Sequence, residues 1–439
     1  MNIVYLHSHD TGRWIEPYGH PHPTPNFTRL ATDGVLFEDA HTPSPTCSPS
    51  RACLLTGQMP RKNGMIGLAH RGARLRDPSR HLASLLRDLG YATALSGVQH
   101  EFKGTAEADM PYDEVLAEPG VDDVADADPA IADAASDYLR REHDKPFFLA
   151  CGLFTTHRTA GRTDQRFNAE ASPLGNPVDV IVPPDLPDLP EVRQDIADYN
   201  VALDRLDECV GRVLDAVDFE STLLICTTDH GVPFPNYKSR LTPGGTGVLL
   251  MLRGPGIGGG RRTGATVTHL DVVPTVLHLL GQEMPDDLDG RSLLPLLRGE
   301  VDRLHDATFG EVNFHAAAEP MRSVRVGDYL YIRHFGKLAR RVLPNCDPGP
   351  TRQAMIERGW ADNPPPAESL YDLVNDPYCL RNVLNDESFE SVAADFRERL
   401  AARMARTNDP LRHGGDLPLP DDLVLTPMEA TYPADTRKV

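Results

Sequence analysis

Short apolar runs alternate along the chain with stretches of helical period. Residues 2–7 read as a strand, 28–34 as a helical piece, and 80–89 as a helix closed by Gly90. A strand over 91–96, a helix over 130–141 and an apolar, buried strand over 146–154 follow. A long amphipathic helix over 195–217, strands over 221–227 and 247–252, and a helix over 272–280 stopped by Gly281 complete the series. This alternation predicts an α/β fold, a mainly parallel sheet sandwiched by helices. Beyond residue 318 the period changes. Residues 322–333 alternate about Gly327-Asp328 as a β-hairpin does, and a helix follows over 388–406. The expected organisation is a catalytic α/β domain at 1–318, a smaller C-terminal α+β domain at 319–412, and a Pro/Asp-rich tail at 413–439 that wraps the surface or stays mobile. The acidic stretch 107–144 reads as a solvated helical insertion, and no internal repeat is present.

The strand ends carry the chemistry. The first strand runs into His7-Ser-His9-Asp10, the strand at 91–96 into Val98-Gln99-His100, the strand at 146–154 into Thr155-Thr-His157-Arg158, and the strand at 221–227 into Thr227-Thr-Asp229-His230-Gly231. Ligands of open parallel sheets bind at the carboxyl ends of the strands. One Asp-His pair after a strand reads as a capped turn; four polar endings on one edge build a cluster. A second feature is Thr46-Cys47-Ser48-Pro49-Ser50-Arg51, running on to Gly57. Ser48 is expected to cap a helix, Pro49 to occupy its first turn and Gly57 to close it. Cys47 then stands just before a helix N-terminus, which attracts anions. For an isolated cysteine the alternative is a buried structural thiol, but Cys-x-Pro-x-Arg is more specific.

Composition narrows the partners. The 439 residues hold 44 Lys+Arg against 64 Asp+Glu, a net charge of -20, which opposes binding to nucleic acid or an anionic membrane. No 18-residue apolar run and no leader-like segment occur, so a cytoplasmic location is expected. Seven scattered cysteines predict free thiols. His20 and His22 lie between prolines and read as a rigid loop. The Gly-rich segment 254–260 lacks the Lys-Ser/Thr of a phosphate loop and reads as a turn. Cys53 is expected in the core, and Trp14 and Tyr18 either at the pocket wall or in loop packing.

Cys47-Ser-Pro-Ser-Arg51 with Leu54-Leu-Thr-Gly57 resembles the signature of the type I sulfatases, in the alkaline phosphatase superfamily. The resemblance extends through Asn2 to Asp10, Thr228-Asp-His-Gly231, Leu288-Asp-Gly-Arg-Ser-Leu-Leu-Pro295 and Glu368-Ser-Leu-Tyr-Asp-Leu-Val-Asn-Asp-Pro377. Asn63-Gly-Met-Ile-Gly-Leu68 and Asp229-His-Gly-Val-Pro-Phe-Pro235 are most similar to the heparan N-sulfatase branch. The resemblance implies an alkaline phosphatase-like sheet and a formylglycine made from Cys47 by a transiently bound formylglycine-generating enzyme. Its gem-diol would be the nucleophile. Asp10, Asp229, His230 and an oxygen of residue 47 would hold one divalent cation, Ca²⁺ by family. Arg51 would fix the formylglycine, His100 and His157 would bind the ester, one of them protonating the leaving oxygen or nitrogen, and Lys238 would neutralise sulfate charge.

Two positions depart from the family pattern. His9 stands where a second acid is common, and Val98 where a lysine is common. With His9 as a ligand, Mn²⁺ or Mg²⁺ enters as an alternative ion, since Ca²⁺ favours oxygen donors. Gln99, Lys238 or Arg240 would compensate for the missing lysine, and His70 would line the substrate pocket. The expected function is hydrolysis of a small sulfate ester or sulfamate. The alternatives are a phosphonate or phosphate ester hydrolase of the same superfamily and a catalytically silent anion binder. A homodimer contact through the tail is compatible with the sequence.

Overall fold

The computed structural model describes residues 1–104, 110–118, 127–158, 165–167, 174–336, 338–414 and 417–433. In chain order its strands begin with β1 (Asn2–Ser8), β2 (Val35–Phe37), β3 (Ala40–His41), β4 (Ala92–Gly97), β5 (Glu114–Ala117), β6 (Phe147–Gly152) and β7 (Thr222–Thr228). They continue with β8 (Leu250–Arg253), β9 (Arg261–Thr263), β10 (Val267–Thr268), β11 (Thr308–Phe314), β12 (Ala318–Val326), β13 (Tyr329–His334) and β14 (Glu368–Asp372). The main sheet has the order β5-β4-β6-β1-β7-β8-β2-β9. Only β8 runs against its neighbours, so β4, β6, β1 and β7 deliver their carboxyl ends to one edge.

Burial on both faces explains why β1 and β6 read as unbroken apolar runs. Val4 and Leu6 of β1 pack with Phe27, Tyr199 and Leu203. Ile3 and Tyr5 point the other way, onto Leu54, Leu82 and Val276. The period-two alternation of a strand thus divides β1 between two helical layers. Helices Pro25–Asp33, Asp128–Arg140 and Pro190–Leu214 form one layer. Helices Cys47–Thr56, Leu82–Asp88 and Val272–Leu279 form the other. The architecture is the alkaline phosphatase-like α/β sandwich expected from the sequence.

One expectation is corrected. The stretch 107–144 is not a solvated helical insertion: within its described part, β5 pairs parallel with β4, and Ile131, Ala132, Ala135 and Tyr138 of helix Asp128–Arg140 enter the core. Charge outweighed the apolar positions in the sequence reading because acidic residues such as Asp133 and Asp137 lie on the solvent face, whereas Asp128 is buried. Residues 107–109 and 119–126 lie outside the described residues.

The second sheet is antiparallel, β11-β12-β13-β14. Val326 pairs with Tyr329 across the Gly327-Asp328 turn, as the sequence predicts. β11 precedes residue 318 yet pairs with β12, so this sheet recruits a strand from what the sequence divided off as the larger domain. Helix Glu390–Arg406 buries Phe396, Leu400 and Met404 against Val324, Tyr331 and Leu370. The described tail wraps back over the molecule, with Val424 N–H donating to Arg71 O and Thr426 N–H to Ala316 O, both at 2.8 Å. Residues 415–416 and 434–439 lie outside the described residues. All seven cysteines are free. Among the described residues no helix is long and apolar enough to cross a membrane.

Candidate active site

β1 and β7 are in register, Ser8 opposite Thr228, so Asp10 and Asp229 arrive side by side. Asp10 adopts φ +51°, in the left-handed region that aspartate tolerates better than most residues. Its N–H donates to Asp229 Oδ1 at 2.9 Å, and the His230 N–H donates to the same oxygen at 2.9 Å. The turn after His230 requires glycine, because a Cβ on Gly231 would stand 1.8 Å from the Gly244 carbonyl oxygen. His230 Nδ1 lies 2.9 Å from Gly231 O. A carbonyl only accepts, so the ring proton belongs on Nδ1 and Nε2 keeps its lone pair. That nitrogen is 3.5 Å from Cys47 Sγ and 3.3 Å from Asp10 Oδ1.

Cys47 opens its helix; it does not precede it. Thr46 is the N-cap residue, without a side-chain cap, and Ser48 Oγ accepts the Ala69 N–H at 3.0 Å. The expected Ser48 cap is therefore absent, because that hydroxyl anchors the following loop. Gly57 closes the helix with φ +66°, as expected. Arg51, one turn after Cys47, shares its face. Its guanidinium donates to Asp229 Oδ2 at 3.1 Å and Ser8 O at 3.0 Å, and also meets His7 Nδ1. Ser50 Oγ donates to Asp229 O.

His9, Asp10, Cys47 and Asp229 each offer an atom within 4.8 Å of the others. All are buried, yet among the described residues both His9 nitrogens and Asp10 Oδ1 have no hydrogen-bond partner. An unsatisfied buried polar group costs about 1–3 kcal/mol. Orphaned acceptors converging beside two carboxylates are what a shared cation would satisfy. The mixed oxygen and nitrogen donors fit a divalent ion.

Lys238 closes the cluster. Its Nζ donates to Asp10 Oδ2 at 3.0 Å and Asp347 Oδ2 at 2.8 Å, and lies 3.4 Å from His157 Nε2. His157 Nδ1 donates to Arg158 O at 2.7 Å, which leaves Nε2 facing the lysine. The His100 and His9 rings meet edge-on at 4.7 Å, and His100 has φ +77°, costly for a ring-bearing residue.

Burial opposes Lys238's charge, but Asp10 and Asp347 outweigh it and hold the amine protonated. Burial also acts to raise Asp229, while His230 and Arg51 pull its carboxyl well below the usual range. Desolvation pushes the Cys47 thiol far up, with Lys238 opposing. Burial keeps His9, His100 and His157 neutral; Arg51 adds to the effect at the first two, and Asp10 opposes it at His157.

Asp10, Cys47, Arg51, His100, His157, Asp229, His230 and Lys238 thus gather at one edge, with His9 among them. Two candidates do not face the pocket. The Gln99 amide clamps the loop through Phe102 O at 3.1 Å and Phe102 N–H at 2.8 Å. Arg240 is engaged with Glu319. His70 is exposed, close enough to Lys238 for its charge to reach it. His20 binds Asn200 at 2.8 Å and His22 binds Asp204 at 2.7 Å. Trp14 stacks on Phe234, and the Tyr18 hydroxyl donates to Phe37 O, so both are packing residues.

Sequence reasoning missed Asp347, His315 and Glu101. His315, just after β11, is held neutral by burial and Lys238. Glu101 is buried with neither carboxylate oxygen partnered among the described residues, and burial raises it to about 8. A buried lysine needs a carboxylate partner, but no local pattern marks Asp347 as that partner.

A cysteine-bearing helix, two carboxylates, imidazoles and a lysine at the carboxyl edge of a parallel sheet define a hydrolase site for an anionic ester. The sulfatase family profile matches residues 1–282. Human N-sulphoglucosamine sulphohydrolase (Homo sapiens) is 30% identical over 438 residues, covering 88% of this chain and 86% of that protein. The chain belongs to the sulfatase family, hydrolases that act on sulfuric esters. The structure of BT1596, a 2-O GAG sulfatase, superposes with a TM-score of 0.69 at 21% identity, covering 97% of this chain and 96% of that one. The phosphonate monoester hydrolase of Agrobacterium radiobacter shares the fold at a TM-score of 0.68 and 18% identity, covering 92% and 95%.

Proposed function

We propose that the protein is a formylglycine-dependent sulfatase that hydrolyses a small sulfate ester or sulfamate. The observation that carries this reading is the place of Cys47, whose ligand atom lies within 4.8 Å of those of His9, Asp10 and Asp229. A thiol held protonated by burial is a poor nucleophile and suits a precursor better than a working group. Asp10, Asp229, His230 and His9 would hold the cation with residue 47. Once bound, the ion would polarise sulfate oxygens, and the aldehyde hydrate of residue 47 would supply the attacking oxygen.

The remaining work falls to this chain's own side chains. Arg51 holds Asp229 in place by a charge-assisted hydrogen bond and would do the same for the oxygens of the modified residue 47. Lys238 meets negative charge developing on sulfate. His157 Nε2, whose lone pair faces the Lys238 ammonium, is placed to take a proton from that ammonium and pass it to the leaving oxygen or nitrogen, and His100 flanks the same space. The similarity to the sulphohydrolase favours a sulfamate among the candidate substrates. The net charge of -20 favours a small substrate over a long sulfated polymer.

Coexpression with a formylglycine-generating enzyme should remove roughly 18 Da at Cys47 in the intact mass. Cys47→Ala should abolish hydrolysis, and a chelator should do the same until a divalent ion returns. An unmodified, fully active protein would overturn the proposal. The second reading, a phosphonate or phosphate ester hydrolase, draws on the nitrogen donors His9 and His230 and on Val98 in place of a lysine. Higher kcat/KM on an aryl phosphonate than on an aryl sulfate would favour it.

A further inference from the structure

A cavity of about 450 Å³ lies away from the catalytic cluster, between the turn after the cysteine helix, the antiparallel sheet and helix Glu390–Arg406. It begins at Met59, past the far end of a ten-residue helix that starts at Cys47, so about 15 Å of helix separates the two places. Six cationic side chains line it: Arg61, Lys62, Arg76, Arg322, Arg403 and Arg406. Only Asp289, Glu311 and Asp409 oppose them, which leaves an excess of three positive charges in a chain of net charge -20.

The ion pairs within the cavity do not absorb this excess. Arg61 reaches Glu311 at 3.2 Å and Asp409 at 3.3 Å, and Arg322 reaches Asp409 at 2.7 Å. Lys62 and Arg403 share Asp289 at the longer distances of 3.5 and 3.9 Å. Among the described residues the Arg76 guanidinium donates only to the backbone oxygen of Arg61, and neither Arg76 nor Arg406 has an ion pair. Burial lowers Arg403, and Arg406 and Arg61 press it down further against the pull of Asp289 and Glu311, so these cations repel one another. The helix dipole favours basic residues in a last turn and accounts for Arg403 and Arg406. It gives no reason for Arg61, Lys62, Arg76 and Arg322 to converge on the same space. Phe309 and Met404 add apolar wall, and the volume falls within the ~300–1,000 Å³ of small-molecule sites.

From this convergence of six cationic side chains on three acids, with Arg76 and Arg406 left without an ion pair among the described residues, around an apolar-walled cavity, we infer that the protein binds a small organic polyanion, with two or three negative charges, at a site separate from its catalytic centre. Isothermal titration of the full chain with benzene-1,3,5-tricarboxylate, with benzoate at matched ionic strength as the control, tests this. Saturable binding with Kd below about 1 mM, at least tenfold weaker in Arg76→Glu/Arg406→Glu and at least tenfold weaker for benzoate, is the expected result. Both substituted residues are exposed, and an unchanged melting temperature and kcat/KM should accompany the loss. Absence of saturable binding overturns the inference. So does a Kd unchanged by charge reversal, or equal affinity for benzoate.

Discussion

Lys238 is buried, and its ammonium is shared between Asp10, at the end of β1, and Asp347, on the segment that follows β13. A lysine without such partners would lose its proton on burial. Asp347 therefore keeps the charge in place and fixes where it points, beside His157. Replacing it by Asn retains the shape and removes the counter-charge. A charge-assisted hydrogen bond contributes about 1.5–3 kcal/mol, so kcat/KM on a sulfate ester should fall about 10- to 100-fold, with partial recovery in Asp347→Glu. Wild-type turnover in Asp347→Asn would show that Asp10 alone anchors the lysine. Asp10, His100, His157, Asp229 and His230 were legible because each follows an apolar strand closely, and Cys47 and Arg51 because they share one short motif. Asp347 was not, because its role is set by a contact with a residue 109 positions away.

At the scale of single elements, helix Leu82–Asp88 starts at His81, whose Nδ1 accepts the Ala83 N–H at 3.1 Å. The ring is buried, and desolvation lowers it to about 3 from 6.5. The unfolded chain therefore binds a proton in the window between these values that the folded chain refuses. Stability is fully present above pH 6.5 and is lost as pH falls towards 3. The loss attributable to His81 reaches about 2 kcal/mol at pH 5. His81→Asn keeps a cap acceptor that does not titrate, so its melting temperature should fall less than that of the wild type between pH 7 and pH 5; parallel losses would sink this account. The helix itself was evident from its period and from Gly90. Its cap was not, because a histidine cap works only where burial keeps the ring neutral. The cysteine helix shows the same division: Gly57 as its stop was readable, whereas Ser48 turned to Ala69 for reasons that lie in the loop beyond.

For the whole molecule, Asp195 on helix Pro190–Leu214 holds three chain segments together. It takes a two-pronged bond from Arg158 at 2.9 and 2.8 Å and accepts both Thr351 N–H at 3.2 Å and Thr351 Oγ1 at 2.6 Å. The Arg158 guanidinium also lies 4.5 Å from the Phe167 ring and 4.9 Å from the Phe234 ring. Asp195→Ala strands this buried cation and should destabilise the protein by about 3–5 kcal/mol, read as a lower denaturant midpoint at unchanged slope. A shift worth less than about 1 kcal/mol would mean that water reaches the arginine.

Period and punctuation along the chain determined the alternation of strands and helices, the parallel class of the main sheet and the polar groups that end its strands, because each depends on neighbours a few residues apart. The strand order, the recruitment of β11 into the second sheet, the diversion of Gln99 and Arg240 to other partners, and the arrival of Asp347 and His315 beside Lys238 were decided by tertiary structure. Each rests on contacts between distant segments, where burial and charge balance select the partner and no local pattern encodes it.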